Sequence, residues 1–311
     1  MPFIAAFTVA LAFCVEPPAP TPPPVASNPV KVGEHTMEPF KLEIPGAAFA
    51  VEMIPIPADP ARKTKAFWIS KTEITWEAYD PFVYNKDDET MTPLGADVVT
   101  RPSRPYIPPD SGFGKAGMAA ICVSFKSAVE YGKWLAARSG KAVRLPSEPE
   151  WEVAAAAGST SAYPFGDDSA KAGDYGWYEA NSEEAPHKAG TKKPNAWGLF
   201  DMSGNVSEWV TAEDSKKVGG VVKGGSWMDP VENLKTAWRA EYDVKWQKTD
   251  PQMPKSKWWM SDGQHIGLRI IVEVDDKTGK PLAAPAPAPA PTPAPSSDKP
   301  AADSPKPPTT K

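Results

Sequence analysis

The residue types that usually carry chemistry are scarce and scattered in this 311-residue chain. Its two cysteines, Cys14 and Cys122, exclude a disulfide framework and a Cys-rich zinc site. Cys122 lies in the apolar run Ala120-Ile121-Cys122-Val123 and reads as core. The three histidines, His35, His187 and His265, show no His-x-x-x-His spacing and form no metal-binding cluster. Ser226 has no histidine near it in sequence to take its proton, so it reads as a turn residue rather than a nucleophile. Aromatic residues are better grouped. Trp227, Trp238, Trp246, Trp258 and Trp259 fall among Lys, Asp, Met and Gln, and such rings can line a groove and stack on sugars, peptides or choline-like cations. Arg144 and Arg269 lie in or beside strand-like runs, where a guanidinium is expected to pair with a carboxylate such as Glu150 or Glu208. Trp151 and Trp209 read as core anchors. A net charge of −5 without a dense Lys/Arg block argues against nucleic-acid binding.

Three helices are expected to position these groups. Thr75 caps a short one through Trp76, Ala78 and Tyr79, which Pro81 limits or kinks. Ser124 caps a second, whose apolar face holds Phe125, Ala128, Val129, Gly132, Leu135 and Ala136, and which Gly140 ends. The third opens on Ser147-Glu148-Pro149-Glu150, a capping box, and runs through Trp151 and the alanines to Gly158. Strand-like runs are Phe49–Ile54, Lys65–Ile69, Val221–Lys223 and Leu268–Val272. Residues 158–218 hold little regular signal but much Gly, Asn, Asp and Trp, so packed aromatics or bound ions must support them.

The ends differ from the middle. Of 38 prolines, nine fall in residues 1–40 and eleven in residues 281–311, whereas all twelve tryptophans lie between Trp68 and Trp259. This divides the chain into an apolar signal at 1–14, a Pro-rich linker at 15–40, one domain at 41–280 and a Pro/Ala-rich tail at 281–311. Leu11-Ala12-Phe13-Cys14 resembles a bacterial lipobox. The expectation is export to the periplasm or cell envelope, with a lipid anchor on Cys14 as the only attachment to a membrane.

One ordered series adds more. Phe67-Trp68-Ile69-Ser70-Lys71-Thr72-Glu73-Ile74-Thr75 is followed by Val123-Ser124-Phe125 and Arg144-Leu145-Pro146-Ser147-Glu148. Then come Asn195-Ala196-Trp197-Gly198-Leu199-Phe200-Asp201-Met202, Ser203-Gly204-Asn205-Val206-Ser207-Glu208-Trp209, Lys223-Gly224-Gly225-Ser226-Trp227 and Gly267-Leu268-Arg269. The series resembles the sulfatase-modifying factor family, that of the formylglycine-generating enzyme. The resemblance implies one α+β domain of C-type-lectin-like topology, with few helices, short strands and much irregular structure. It also implies a copper-dependent oxidase that converts a sulfatase cysteine to formylglycine and holds its metal on two cysteines. Their positions here are Asp229 and Leu234. A carboxylate and an alkyl chain cannot replace thiolates on copper(I), so no copper is expected. A sulfoxide-forming branch of the family holds iron on a histidine cluster that this chain lacks. The resemblance further places a structural calcium site on Asn205, Val206 and Glu208, whose amide, carbonyl and carboxylate oxygens are hard ligands. The same residues can serve instead as a hydrogen-bonded loop network.

Two functions remain. The first is a non-catalytic binding or scaffold module with a groove around Ser226, Trp227, Asp229, Trp238 and Trp258, for a peptide or an envelope glycan. The second is a divergent enzyme built on Asp229 and Ser226 with Asp243 or His265.

Overall fold

The computed structural model describes residues 29–84, 102 and 108–285. The expected signal with Cys14, the linker up to residue 28 and the tail beyond residue 285 lie outside these residues. Strands β1 (Val30–Val32) and β2 (His35–Met37) pair antiparallel, with Val30 and Met37 buried in the main core. The linker boundary at residue 40 is thereby corrected. Two core-facing side chains on a short ribbon are enough to dock it, although Pro-rich sequence precedes them. The other boundary also moves. Leu282 accepts a backbone bond from Ala142 at 2.8 Å, and Ala284 donates one to Gly140 at 2.9 Å. We expect deletion of residues 1–40 to lower stability by about 2–4 kcal/mol, the scale of losing one fully buried methionine. Urea melts of the two truncations would check this, and deletion of residues 1–28 alone is expected to be silent.

Strands β3 (Phe40–Glu43), β4 (Ala50–Ile56) and β5 (Phe67–Ser70) follow, and helix α1 (Trp76–Tyr84) leads away. The helix runs on through Pro81 rather than stopping there. Its aromatic face is packed on all sides: Tyr79 meets Phe82, Tyr131 and Trp259 at centroid distances of 5.1–6.2 Å. Helix α2 (Phe125–Ser139) has the expected caps. Ser124 Oγ accepts from Ser127 N–H, and Gly140 adopts φ 68°, the left-handed conformation that ends a helix. After β6 (Val143–Arg144), helix α3 (Glu148–Ala156) opens on the expected capping box of Ser147 and Glu150.

The rest is two sheets joined by a two-residue connection. Strands β7 (Ser207–Thr211), β8 (Gly220–Lys223), β9 (Arg239–Glu241) and β10 (Ile266–Leu268) form the order β10-β7-β8-β9, with β10 parallel to β7. Strands β11 (Ile271–Asp275) and β12 (Lys280–Pro281) join the first sheet in the order β12-β11-β5-β4-β3, and β6 pairs with β11. Only Arg269 and Ile270 separate β10 in one sheet from β11 in the other. The junction of the sheets is therefore an arginine.

Candidate functional site

Arg269 is fully buried, so its charge must be answered by protein groups. Its Nε and Nη2 donate to both oxygens of Glu208 on β7 at 2.8–3.0 Å. Nη1 donates to the carbonyl of Ser70 at the end of β5, and Nη2 to that of Phe200. One guanidinium thus ties together both sheets and the 195–205 loop. Trp151 Nε1 adds a bond to Glu208 Oε2 at 2.7 Å, which fastens α3 to the same carboxylate. Arg144 makes the second expected pair: two bonds of 2.8 Å to Glu150, and a contact with Glu273.

The irregular stretch is held by side chains in place of a backbone ladder. Asn195 Nδ2 donates to the carbonyls of Ala154 and Ala155 at the end of α3, while its Oδ1 accepts from Trp197 and Leu199 N–H. Asn205, at φ 59°, accepts from His187 N–H and donates to Glu73 Oε1 at 2.9 Å. Gly204 permits this course, because a Cβ there would stand 2.2 Å from the carbonyl oxygen of Trp177. The contacts of Asn205 and Glu208 do not fit a calcium shell. Asn205 Oδ1 and both Glu208 oxygens already accept from N–H donors, and the Glu208 charge is balanced by Arg269. Val206 is buried in the main core. Among the described residues, no three His, Cys, Asp or Glu are grouped to hold a metal ion.

Glu73 and Asp201 had no assigned role in the sequence, yet they are the most perturbed acids here. Both are buried beside Glu208 and Arg269. Burial, then the charge of Asp201, holds the Glu73 carboxyl well above its usual range. Burial also raises Asp201, against a 2.6 Å bond from Gly190 N–H. Glu73 Oε2 and Asp201 Oδ1 accept from no N–H or O–H group of the protein, and a proton on one carboxyl, donated to the other, would satisfy both. A bond between carboxyl groups requires a proton, and the raised value assigns it to Glu73. A signal was present: an acid between the apolar run Phe67-Trp68-Ile69 and Ile74.

The segment expected to carry the active site is closed. Ser226 Oγ donates to Asp229 Oδ2 at 2.5 Å, and Asn233 Nδ2 donates to Asp229 Oδ1 at 2.8 Å. Leu234 is fully buried with Tyr163 and Ala172. Gly225 has φ 66° and its absent Cβ would meet Leu234 Cδ2 at 2.8 Å, so chain and leucine fit closely. Burial, the larger influence, lowers the His265 pKa, against the charge of Asp229. Asp243 is occupied in capping a short helix at Lys245 N–H. Cys122 is buried as expected, and burial pushes its thiol up to about 11. It is therefore protonated at neutral pH, unlike a copper ligand.

The tryptophans divide. Trp227 and Trp258 sit in the main core rather than in an open groove: Phe113 packs edge-on against Trp227, and Lys126 Nζ lies 4.6 Å above Trp258. Trp238 is half-buried against the core. Trp151 and Trp209 are fully buried anchors.

Comparison with known proteins agrees with this geometry. The chain matches the sulfatase-modifying factor enzyme 1-like domain over residues 28–250 and belongs to that family. It is 36% identical to the formylglycine-generating enzyme of Mycobacterium tuberculosis over 110 residues, which cover 32% of this chain and 35% of that one. It is 31% identical to the inactive C-alpha-formylglycine-generating enzyme 2 of Mus musculus over 143 residues, 39% of this chain and 42% of that one. These matches thus span less than half of each relative. Variable protein 1 of Treponema denticola superposes with a TM-score of 0.52 at 20% identity, covering 75% of this chain and 98% of that structure. The α+β, C-type-lectin-like architecture is the one expected.

Proposed function

We propose that this protein is a non-catalytic binding or scaffold member of its family, exported and tethered to the cell envelope. One observation carries the reading. At the two positions where the resemblance places copper cysteines stand Asp229, tied down by Ser226 and Asn233, and Leu234, buried in a small apolar cluster. A relative named as inactive supports it, although others are named as enzymes. The partner is a peptide or an envelope glycan. Calcium is not required, because Arg269 answers Glu208. The apolar start and the Pro-rich segments support export and reach from a surface.

The alternative, a divergent enzyme, draws on the short bond between Ser226 and Asp229 with His265 in range of their charge. Incubation with a Cys-Thr-Pro-Ser-Arg peptide, with and without copper, is expected to yield no formylglycine by mass spectrometry. Any oxidised product would overturn the proposal. Stoichiometric iron or copper in the purified protein would favour the enzyme.

A further inference from the structure

The loop from Asp243 to Asp262 is irregular, yet braced from within. Gln247 Nε2 donates to the carbonyls of Ser256 and Trp259 at 2.6 and 2.7 Å. Asp250 accepts from Gln252 and Ser256 N–H, and Asp262 accepts from the backbone and hydroxyl of Thr249. Asp262 N–H returns to the carbonyl of Trp246. Trp258 and Trp259 anchor the base in the core.

Most of the side chains left outside are lysines or apolar residues. Lys245, Lys248, Lys255 and Lys257 are all exposed, whereas Asp243, Asp250 and Asp262 are half-buried and spent on backbone N–H groups. Lys126 and Lys217 adjoin the same loop, one over Trp258 and one on the carbonyl of Tyr242. Between the lysines stand Val244, 70% exposed, and Met253, 89% exposed. With Lys126 and Lys217, six lysines face three aspartates, so a chain of net charge −5 presents here a face of net charge +3 with apolar tips.

We propose that this loop docks the domain on an anionic lipid bilayer, with its lysines at the headgroups and Val244 and Met253 in the interface. The chemistry favours a bilayer over an acidic protein. The cations are lysines, which suit a diffuse negative surface, and not arginines, which fork onto single carboxylates. The adjoining cavity, lined by Pro251, Gln252 and Trp259, is small, about 40 Å³. Among the described residues no helix is long and apolar enough to cross a membrane, so the contact is peripheral. This goes beyond the scaffold reading and does not depend on it.

The test is co-sedimentation of the full chain with vesicles of phosphatidylcholine alone, or of equal parts phosphatidylcholine and phosphatidylserine. The readout is the excess bound to the anionic vesicles, which an N-terminal anchor would not create. That excess is expected to fall with added salt. Lys245→Gln with Lys248→Gln should lower it about 25-fold, at about fivefold per lysine. Met253→Ser, which leaves the charge intact, should lower it about tenfold. These side chains are exposed, so the melting temperatures should not change. Equal binding to both vesicles, binding to neither, or variants that bind like wild type would each overturn the proposal, and capture by an acidic protein alone would reassign the face.

Discussion

Glu208→Gln is expected to destabilise the domain by about 3–5 kcal/mol, measured by urea denaturation. The substitution keeps the side-chain volume and removes the charge that answers Arg269. One neutral amide oxygen and two carbonyls, those of Ser70 and Phe200, would remain to a fully buried guanidinium. Trp151 Nε1 would also face an amide that cannot accept on its nitrogen side. Glu208→Gln with Arg269→Met is expected to cost less than the two single losses added together, because the two side chains answer each other. A loss under about 1 kcal/mol in the single variant would show that the pair does not join the sheets. The same variant tests calcium. Chelator is expected to leave the wild-type melting temperature unchanged, since Glu208 is already satisfied. Chelator-sensitive melting that Glu208→Gln abolishes would return Glu208 to an ion shell.

Sequence gave the local elements most readily where the chain punctuates itself. Ser124 and Gly140 bound α2, and Ser147 with Glu150 opens α3, because caps act within a turn of the residues that announce them. The arginine pairs were also legible, since a guanidinium beside strands has few ways to be satisfied. The site was less so. Ser226 and Asp229 are three residues apart and do bond, but the burial of Leu234 depends on Tyr163 and Ala172, which lie far away in sequence. The hairpin at residues 30–37 was hidden by the prolines before it. Its burial depends on long-range packing, which composition does not report. Trp227 and Trp258 read as groove residues because polar residues are common around them in sequence, yet both rings are buried in the core.

The pairing of Glu73 with Asp201 could not be read from spacing at all, and it carries the second large effect. The folded Glu73 pKa lies well above the usual value of 4.5, and burial also raises Asp201. The sign follows from proton counting. Between the unfolded and folded values of Glu73, the native state holds a proton that the unfolded chain has released. Stability must therefore fall as pH rises through that window, and it levels off only above the folded value. This opposes the usual trend for paired carboxylates, whose stability falls with acid. Glu73→Gln isolates the cause. The amide keeps an oxygen for Asn205 Nδ2 and offers a permanent N–H where Glu73 holds its proton, so the bond to Asp201 survives at every pH. The variant is expected to lose the decline with rising pH and to exceed wild type in stability at alkaline pH. Glu73→Ala should instead cost about 1–3 kcal/mol near neutral pH, because it strands Asn205 Nδ2. Urea melts at intervals from acid to alkaline pH would decide the matter. If wild type and Glu73→Gln follow parallel curves, the proton is not shared at this site. If Asp201→Asn flattens the curve while Glu73→Gln does not, the proton resides on Asp201, and the two acids exchange roles within the same buried pair.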